Sequence, residues 1–191
     1  MPSALFRGMP ASLKTFERSV WGHYKKHGRH TLPWRKTRDP YRILVSEVML
    51  QQTQVERVIP YYERFIKAFP NEQSLSKAPL SKVLKLWQGL GYNRRAKMLW
   101  EASRQIQKEF KGKFPKDVEH IESLRGVGPY TARAVAAFAY NNDVIFIETN
   151  IRTVVMHHFF PKKKSVSDVE IIRVLERVLP KKKSREWYSA L

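Results

Sequence analysis

The sequence predicts an all-α protein. Apolar residues recur at helical spacing in one segment after another, short Pro-, Gly- or Asn-containing breaks separate those segments, and no clear strand alternation interrupts them. Residues 1–11 read as a loose tail. Leu13, Phe16, Val20, Trp21 and Tyr24 then mark a first helix from Ser12, which the basic stretch Lys25 to His30 ends. Leu32-Pro33-Trp34 is a break, and Asp39-Pro40 opens the next helix, with Asp39 as cap and Pro40 in the first position. Further helices are predicted at about Tyr41–Gln51, Gln54–Ala68, Leu80–Trp87, Arg94–Phe110, Val118–Leu124, Pro129–Tyr140, Asn150–Phe159, Ser167–Leu179 and from Arg185 onward. Val144–Ile147 is a brief apolar run that reads as an extended connector. Short loops between short helices imply a compact helical array.

A chain of 191 residues with 42% hydrophobic content can build one sizeable domain or two small ones sharing a core. Lys and Arg number 36 against 17 Asp and Glu, a formal charge of +19. That excess points to a polyanionic partner, because each phosphate neutralised releases a counterion. The sequence holds no cysteine, which excludes disulfides, thiol nucleophiles and cysteine-held iron–sulfur clusters within it. The six histidines are scattered, and the adjacent His157 and His158 point differently on a helix, so zinc is not expected. No apolar run approaches membrane-spanning length, and Met1 to Pro10 lacks a signal-peptide core.

Three stretches carry chemistry. Leu124-Arg125-Gly126-Val127-Gly128-Pro129-Tyr130-Thr131-Ala132 is a Gly-x-Gly turn between two amphipathic helices, a helix–hairpin–helix pattern. Its glycines allow a tight backbone, and the N–H groups and dipole of the second helix form a phosphate seat. In Ser46-Glu47-Val48-Met49-Leu50-Gln51-Gln52-Thr53, helical geometry puts Glu47 on a face with Ile43, Leu44 and Leu50. A carboxyl on such an apolar stripe is desolvated, which favours its protonated form. An ion pair with Arg42 or Arg94 is the plainer alternative. In Phe146-Ile147-Glu148-Thr149-Asn150, an apolar connector delivers Glu148 just ahead of a helix, where N–H donors favour the ionised form. Taken alone, Glu148 is a capping acid. Paired with Glu47, it suggests the division of labour that acid-assisted glycosidic cleavage needs.

These stretches, with Leu32-Pro33-Trp34-Arg35 and Gly89-Leu90-Gly91-Tyr92, resemble the catalytic part of MutY-type adenine DNA glycosylases, within the endonuclease III-like helix–hairpin–helix superfamily. The likeness runs from about residue 14 to residue 191 in unbroken order. It implies a two-lobed helical fold: residues 1–28 as a tail and helix packing on the second lobe, 29–142 as a bundle bearing the hairpin, and 143–191 as the second lobe. It implies that Glu47 is the general acid that protonates adenine. It implies that Glu148 stabilises the oxocarbenium-like sugar, although relatives carry Asp there. Tyr130 takes the place of the catalytic lysine of lyase-type relatives, so hydrolysis without strand nicking is expected.

Gln52 and Tyr92 match residues that wedge into the DNA stack, and Thr53, Gly126, Val127, Gly128 and Thr131 complete the implied DNA contacts. Trp34, Arg35, Leu50 and Val55 match the base pocket. Backbone carbonyls of Glu122, Leu124 and Val127 match a monovalent-cation site at the hairpin. Relatives add a four-cysteine iron–sulfur module and a domain that recognises 8-oxoguanine. The last helix is cut off at Leu191, so the sequence reads either as a truncated chain or as a minimal cluster-free form.

The expected function is hydrolytic removal of adenine mispaired with guanine or 8-oxoguanine, by a monomer acting on mismatched or oxidised duplex DNA. No cofactor beyond the hairpin cation is expected, and the setting is cytoplasmic, at the nucleoid, with no membrane. Two alternatives stay open: a thymine or uracil mismatch glycosylase, and a mismatch-binding protein of weakened catalysis.

Overall fold

The computed structural model describes residues 13–191; the predicted tail lies outside the described residues. Eleven α-helices and one 3₁₀ turn supply the regular structure, and no β-strand occurs among the described residues. Two compact units form. One is His30–Tyr140; the other joins the described residues up to Arg29 with Asn141–Leu191.

The first unit is organised around α2 (Pro40–Leu50). Asp39 caps it by accepting the Arg42 N–H at 3.1 Å, and Pro40 needs no donor in the first turn. Tyr41, Ile43, Leu44, Val45, Val48 and Met49 are all buried, so this helix is apolar almost all round and lies inside the unit. It packs against α8 (Pro129–Tyr140), where Ala132, Ala134, Ala136 and Ala137 let the backbones approach closely, and against α3 (Val55–Ala68). The unit also holds α5 (Leu80–Trp87) and α6 (Arg94–Glu109). Tyr41 donates to the Phe69 carbonyl at 2.8 Å, and burial pushes its phenol well above the usual range.

Two elements went unread in the sequence. The Leu32-Pro33-Trp34 break contains a 3₁₀ turn over Pro33–Lys36, closed by the Arg35 N–H on the Leu32 carbonyl at 3.0 Å. The break at Pro70-Asn71 is followed at once by α4 (Glu72–Lys77), nucleated by a capping box between Asn71 and Ser74. Conversely, α7 (Val118–Glu122) stops short of Leu124, because Ser123 and Leu124 are drawn into the hairpin turn.

The second unit contains α1 (Leu13–His27), α9 (Thr149–Phe159), α10 (Asp168–Val178) and α11 (Ser184–Ala190). Its core is aromatic: the Phe16 ring meets Phe159 edge-on at 4.8 Å and Trp187 at 6.0 Å, and Trp21 lies 5.3 Å from Trp187. The stretch between Tyr140 and α9 has no regular structure but is pinned by α11. Asp143 accepts the Lys182 N–H at 3.0 Å and the Ser184 hydroxyl at 2.7 Å. Tyr188 stacks on Phe146 at 4.1 Å and donates to the Val144 carbonyl at 2.8 Å. No helix among the described residues is long and apolar enough to cross a membrane.

Candidate active site

The packing of α2 on α8 brings Glu47 and Tyr130 together. Glu47 is half-buried, one of the few polar positions on a helix otherwise committed to the core. The Tyr130 phenol donates to Glu47 Oε2 at 3.3 Å, a long bond for an O–H donor. A half-buried carboxyl on an otherwise apolar helix has the chemistry to hold a proton and deliver it to a bound acceptor.

Tyr130 stands at the start of α8 because the hairpin places it there. The turn closes with the Leu124 N–H on the Ile121 carbonyl and the Val127 N–H on the Leu124 carbonyl, at 3.2 and 3.0 Å. Gln105 on α6 ties the turn from outside, accepting the Arg125 N–H at 3.0 Å and donating to the Ser123 carbonyl at 3.2 Å. Gly126 has φ +76, and a Cβ there would come within 2.4 Å of Met98 Cβ, so conformation and contact both demand glycine. The first intrahelical bond of α8 runs from the Ala132 N–H to the Gly128 carbonyl at 2.9 Å, so the N–H groups before it point out of the helix end. Thr131, expected among the DNA contacts, is only 3% exposed, so its hydroxyl is withdrawn from the surface of the unit.

Beside the hairpin lies a cavity of about 760 Å³, floored by Leu44, Val48 and Leu99 and rimmed by Gln52, Tyr92 and Arg125. Gln52 and Tyr92 are exposed, Tyr92 at 63%, and both take positive φ, 53° and 50°. The predicted base-pocket residues Trp34, Arg35, Leu50 and Val55 do not line this cavity. Trp34 is buried edge-on against Tyr62, with ring centres 5.4 Å apart, while Arg35, Leu50 and Val55 are half-buried. Sequence reasoning missed Arg95, whose guanidinium reaches five oxygens around this rim.

Glu148 lies in the other unit. It is the N-cap of α9, half-buried, and accepts the Ile151 N–H at 3.0 Å. The buried Phe146 and its stack on Tyr188 fix the chain just ahead of it. No group of three or more His, Asp or Glu able to hold a metal occurs among the described residues.

Residues 45–185 match the model of the HhH-GPD superfamily base excision DNA repair proteins. This chain belongs to that superfamily. Within it, the chain is 41% identical over 144 residues to an adenine DNA glycosylase of Buchnera aphidicola (subspecies Baizongia pistaciae), covering 75% of this chain and 41% of that protein. It is 41% identical over 153 residues to the adenine DNA glycosylase of Mycolicibacterium smegmatis, covering 78% of this chain and 52% of the relative. The chain thus spans about half the length of the adenine DNA glycosylases it matches. Its fold is similar to that of a thermostable thymine-DNA glycosylase, with TM-score 0.83 and 26% identity over 93% of this chain and 83% of that one. It is also similar to endonuclease III in a non-covalent DNA complex, with TM-score 0.76 and 18% identity over 94% and 84%. The helix–hairpin–helix glycosylase architecture expected from the sequence is therefore the one observed.

Proposed function

We propose that this chain is the catalytic part of a monofunctional adenine DNA glycosylase acting on duplex DNA in which adenine is mispaired with guanine or 8-oxoguanine. The carrying observation is Glu47, half-buried on α2 with the Tyr130 phenol on its carboxyl, beside a hairpin shaped to seat a phosphate. The likeness to two adenine DNA glycosylases supports adenine as the base. In the proposed reaction Glu47 gives its proton to a ring nitrogen of the flipped adenine, and the bond to C1′ breaks with its electron pair leaving on the now neutral base. The cationic sugar is stabilised by the Glu148 carboxylate. Water adds to C1′, and the proton it loses restores Glu47. Position 130 offers a phenol, not an amine, so no imine forms with the sugar and the strand is left intact.

The charge of +19 and the arginines on the cavity rim support a DNA partner, bound by phosphate neutralisation and by the helix N-terminus at the hairpin. The hairpin also suits a monovalent cation. Its neutral carbonyls at Glu122, Leu124 and Val127 are hard oxygen donors, and Leu124 keeps a lone pair beyond the one given to Val127. Such a cation would steady the phosphate contact.

The likeness to a thymine-DNA glycosylase favours a second reading, removal of thymine opposite guanine. A panel of end-labelled duplexes carrying adenine opposite guanine or 8-oxoguanine, and thymine or uracil opposite guanine, tests both. Incubation followed by hot alkali is expected to break the adenine strand and only after alkali. Cleavage confined to thymine or uracil would select the second reading, and release from no duplex would end both.

A further inference from the structure

The C-terminal end of α2 and the turn ahead of α6 are held by one side chain. Arg95 donates to the carbonyls of Val48, Met49 and Gln51 at 2.9, 3.0 and 2.5 Å, to the Thr53 hydroxyl at 3.2 Å and to the Gly91 carbonyl at 3.2 Å. Three of those acceptors lie at the end of α2, where a helix leaves carbonyls unpaired and its dipole attracts a cation. The same guanidinium lies 5.2 Å from the Tyr92 ring centre and 5.6 Å from that of Trp87. Trp87 in turn donates its indole N–H to the Gly91 carbonyl at 3.0 Å, so both turns are tied to one core anchor.

What these turns present is unusual. Five described non-glycine residues have positive φ, and two of them, Gln52 and Tyr92, sit on the two turns that Arg95 joins. A bulky residue takes that conformation only where its surroundings impose it. Both are exposed, and both rim the same cavity. An aromatic ring and an amide held rigidly outward at one rim suit insertion between stacked bases, where each tip must be set in place before it meets the duplex. Half-burial lowers the basicity of Arg95, yet an arginine stays cationic at any physiological pH.

We propose that Arg95 is a positioning residue that locks the Gln52 and Tyr92 tips in their outward conformation, and so sets how well the protein distinguishes a duplex with a vacated base position from an intact one. The proposal rests on the reading of this chain as a base-flipping glycosylase. Its chemistry is untouched by Arg95, which acts only through the two tips.

The test uses the full chain and two duplexes of equal length, one intact and one carrying a tetrahydrofuran abasic analogue opposite guanine, with Kd measured by fluorescence anisotropy at fixed salt. Arg95→Met is expected to lower the ratio of the two affinities by about 10-fold, since two ordered side chains lose their fixed conformation. The intact duplex should bind within about 2-fold of before, because that affinity comes from phosphates. Arg95→Lys, which keeps a charge and three donors but not the planar fork, should recover part of the ratio. In a Gln52→Ala/Tyr92→Ala background, Arg95→Met should change the ratio by less than about 2-fold, as for residues acting as one unit. Thermal melting accompanies each variant; if Arg95→Met does not fold, Arg95→Lys alone must show a reduced ratio at an unchanged midpoint. An unchanged ratio in a folded variant, an equal loss on both duplexes, an undiminished effect in the double-alanine background, or a parent chain that does not distinguish the duplexes overturns the proposal. Base release, assayed in parallel, judges the proposed function separately: a parent chain that releases no base but keeps these binding ratios sinks the catalytic half of that reading, while the base-flipping half, on which the Arg95 assignment rests, stands.

Discussion

Glu47 and Glu148 are the same residue type in opposite local settings. Glu47 projects from the middle of a helix whose other faces are buried, where backbone N–H groups are already spent on the helix, and it accepts the Tyr130 phenol at 3.3 Å. Glu148 precedes a helix, where backbone N–H groups are unspent, and takes the one on Ile151 at 3.0 Å. Whether the chain places a glutamate inside a helix or in front of one thus decides which donors meet its carboxyl.

The strongest way to break this contrast is Glu47→Gln. The amide keeps the shape and the Tyr130 contact but has no proton to give at the required strength. Single-turnover release of adenine is expected to fall by about 10³-fold, while binding to the same duplex is retained. Release within a few-fold of the parent would remove Glu47 from the acid role.

Glu148 invites a finer pair of substitutions, because capping and chemistry can be separated there. Glu148→Ala removes both, so it should lower the stability of its unit by about 1 kcal/mol in denaturant unfolding and also slow base release. Glu148→Asp keeps a good cap but withdraws the carboxylate by one methylene. Stability should hold within about 0.5 kcal/mol while release slows by about 10-fold, the penalty for a displaced catalytic group. Faster release by the aspartate variant would mean that the site is not built around glutamate.

How much of this was legible in the sequence depended on the range of the interaction. The Asp39 cap and the Pro40 start are written within four residues, and the structure realises both of them. Glu148 could be read as a cap for the same reason. The 3₁₀ turn and α4 were passed over because Pro33 and Pro70-Asn71 look like breaks when the capping geometry that follows cannot be seen. Gly126 could be read as a turn glycine, but not the Met98 side chain that forbids anything larger. Arg95 escaped altogether: its partners on α2 come more than forty residues earlier, and nothing in the local pattern of Asn93-Arg94-Arg95 distinguishes a clamp from a solvated base.

The smallest expected effect bears on the Glu47 side of the contrast. Tyr130→Phe deletes the phenol that meets Glu47 and leaves the ring on α8. A hydrogen bond of ordinary strength is worth about 1 kcal/mol net, and this one is long, so release should slow by only about 3-fold, with the melting midpoint barely moved. A loss approaching that of Glu47→Gln would show that the phenol takes part in the proton transfer itself and that the pair works as one unit. No loss at all would show that the phenol has no part in setting the acid. Measured beside Glu148→Asp, the variant thus tells how far base release depends on the contact that α8 makes with α2.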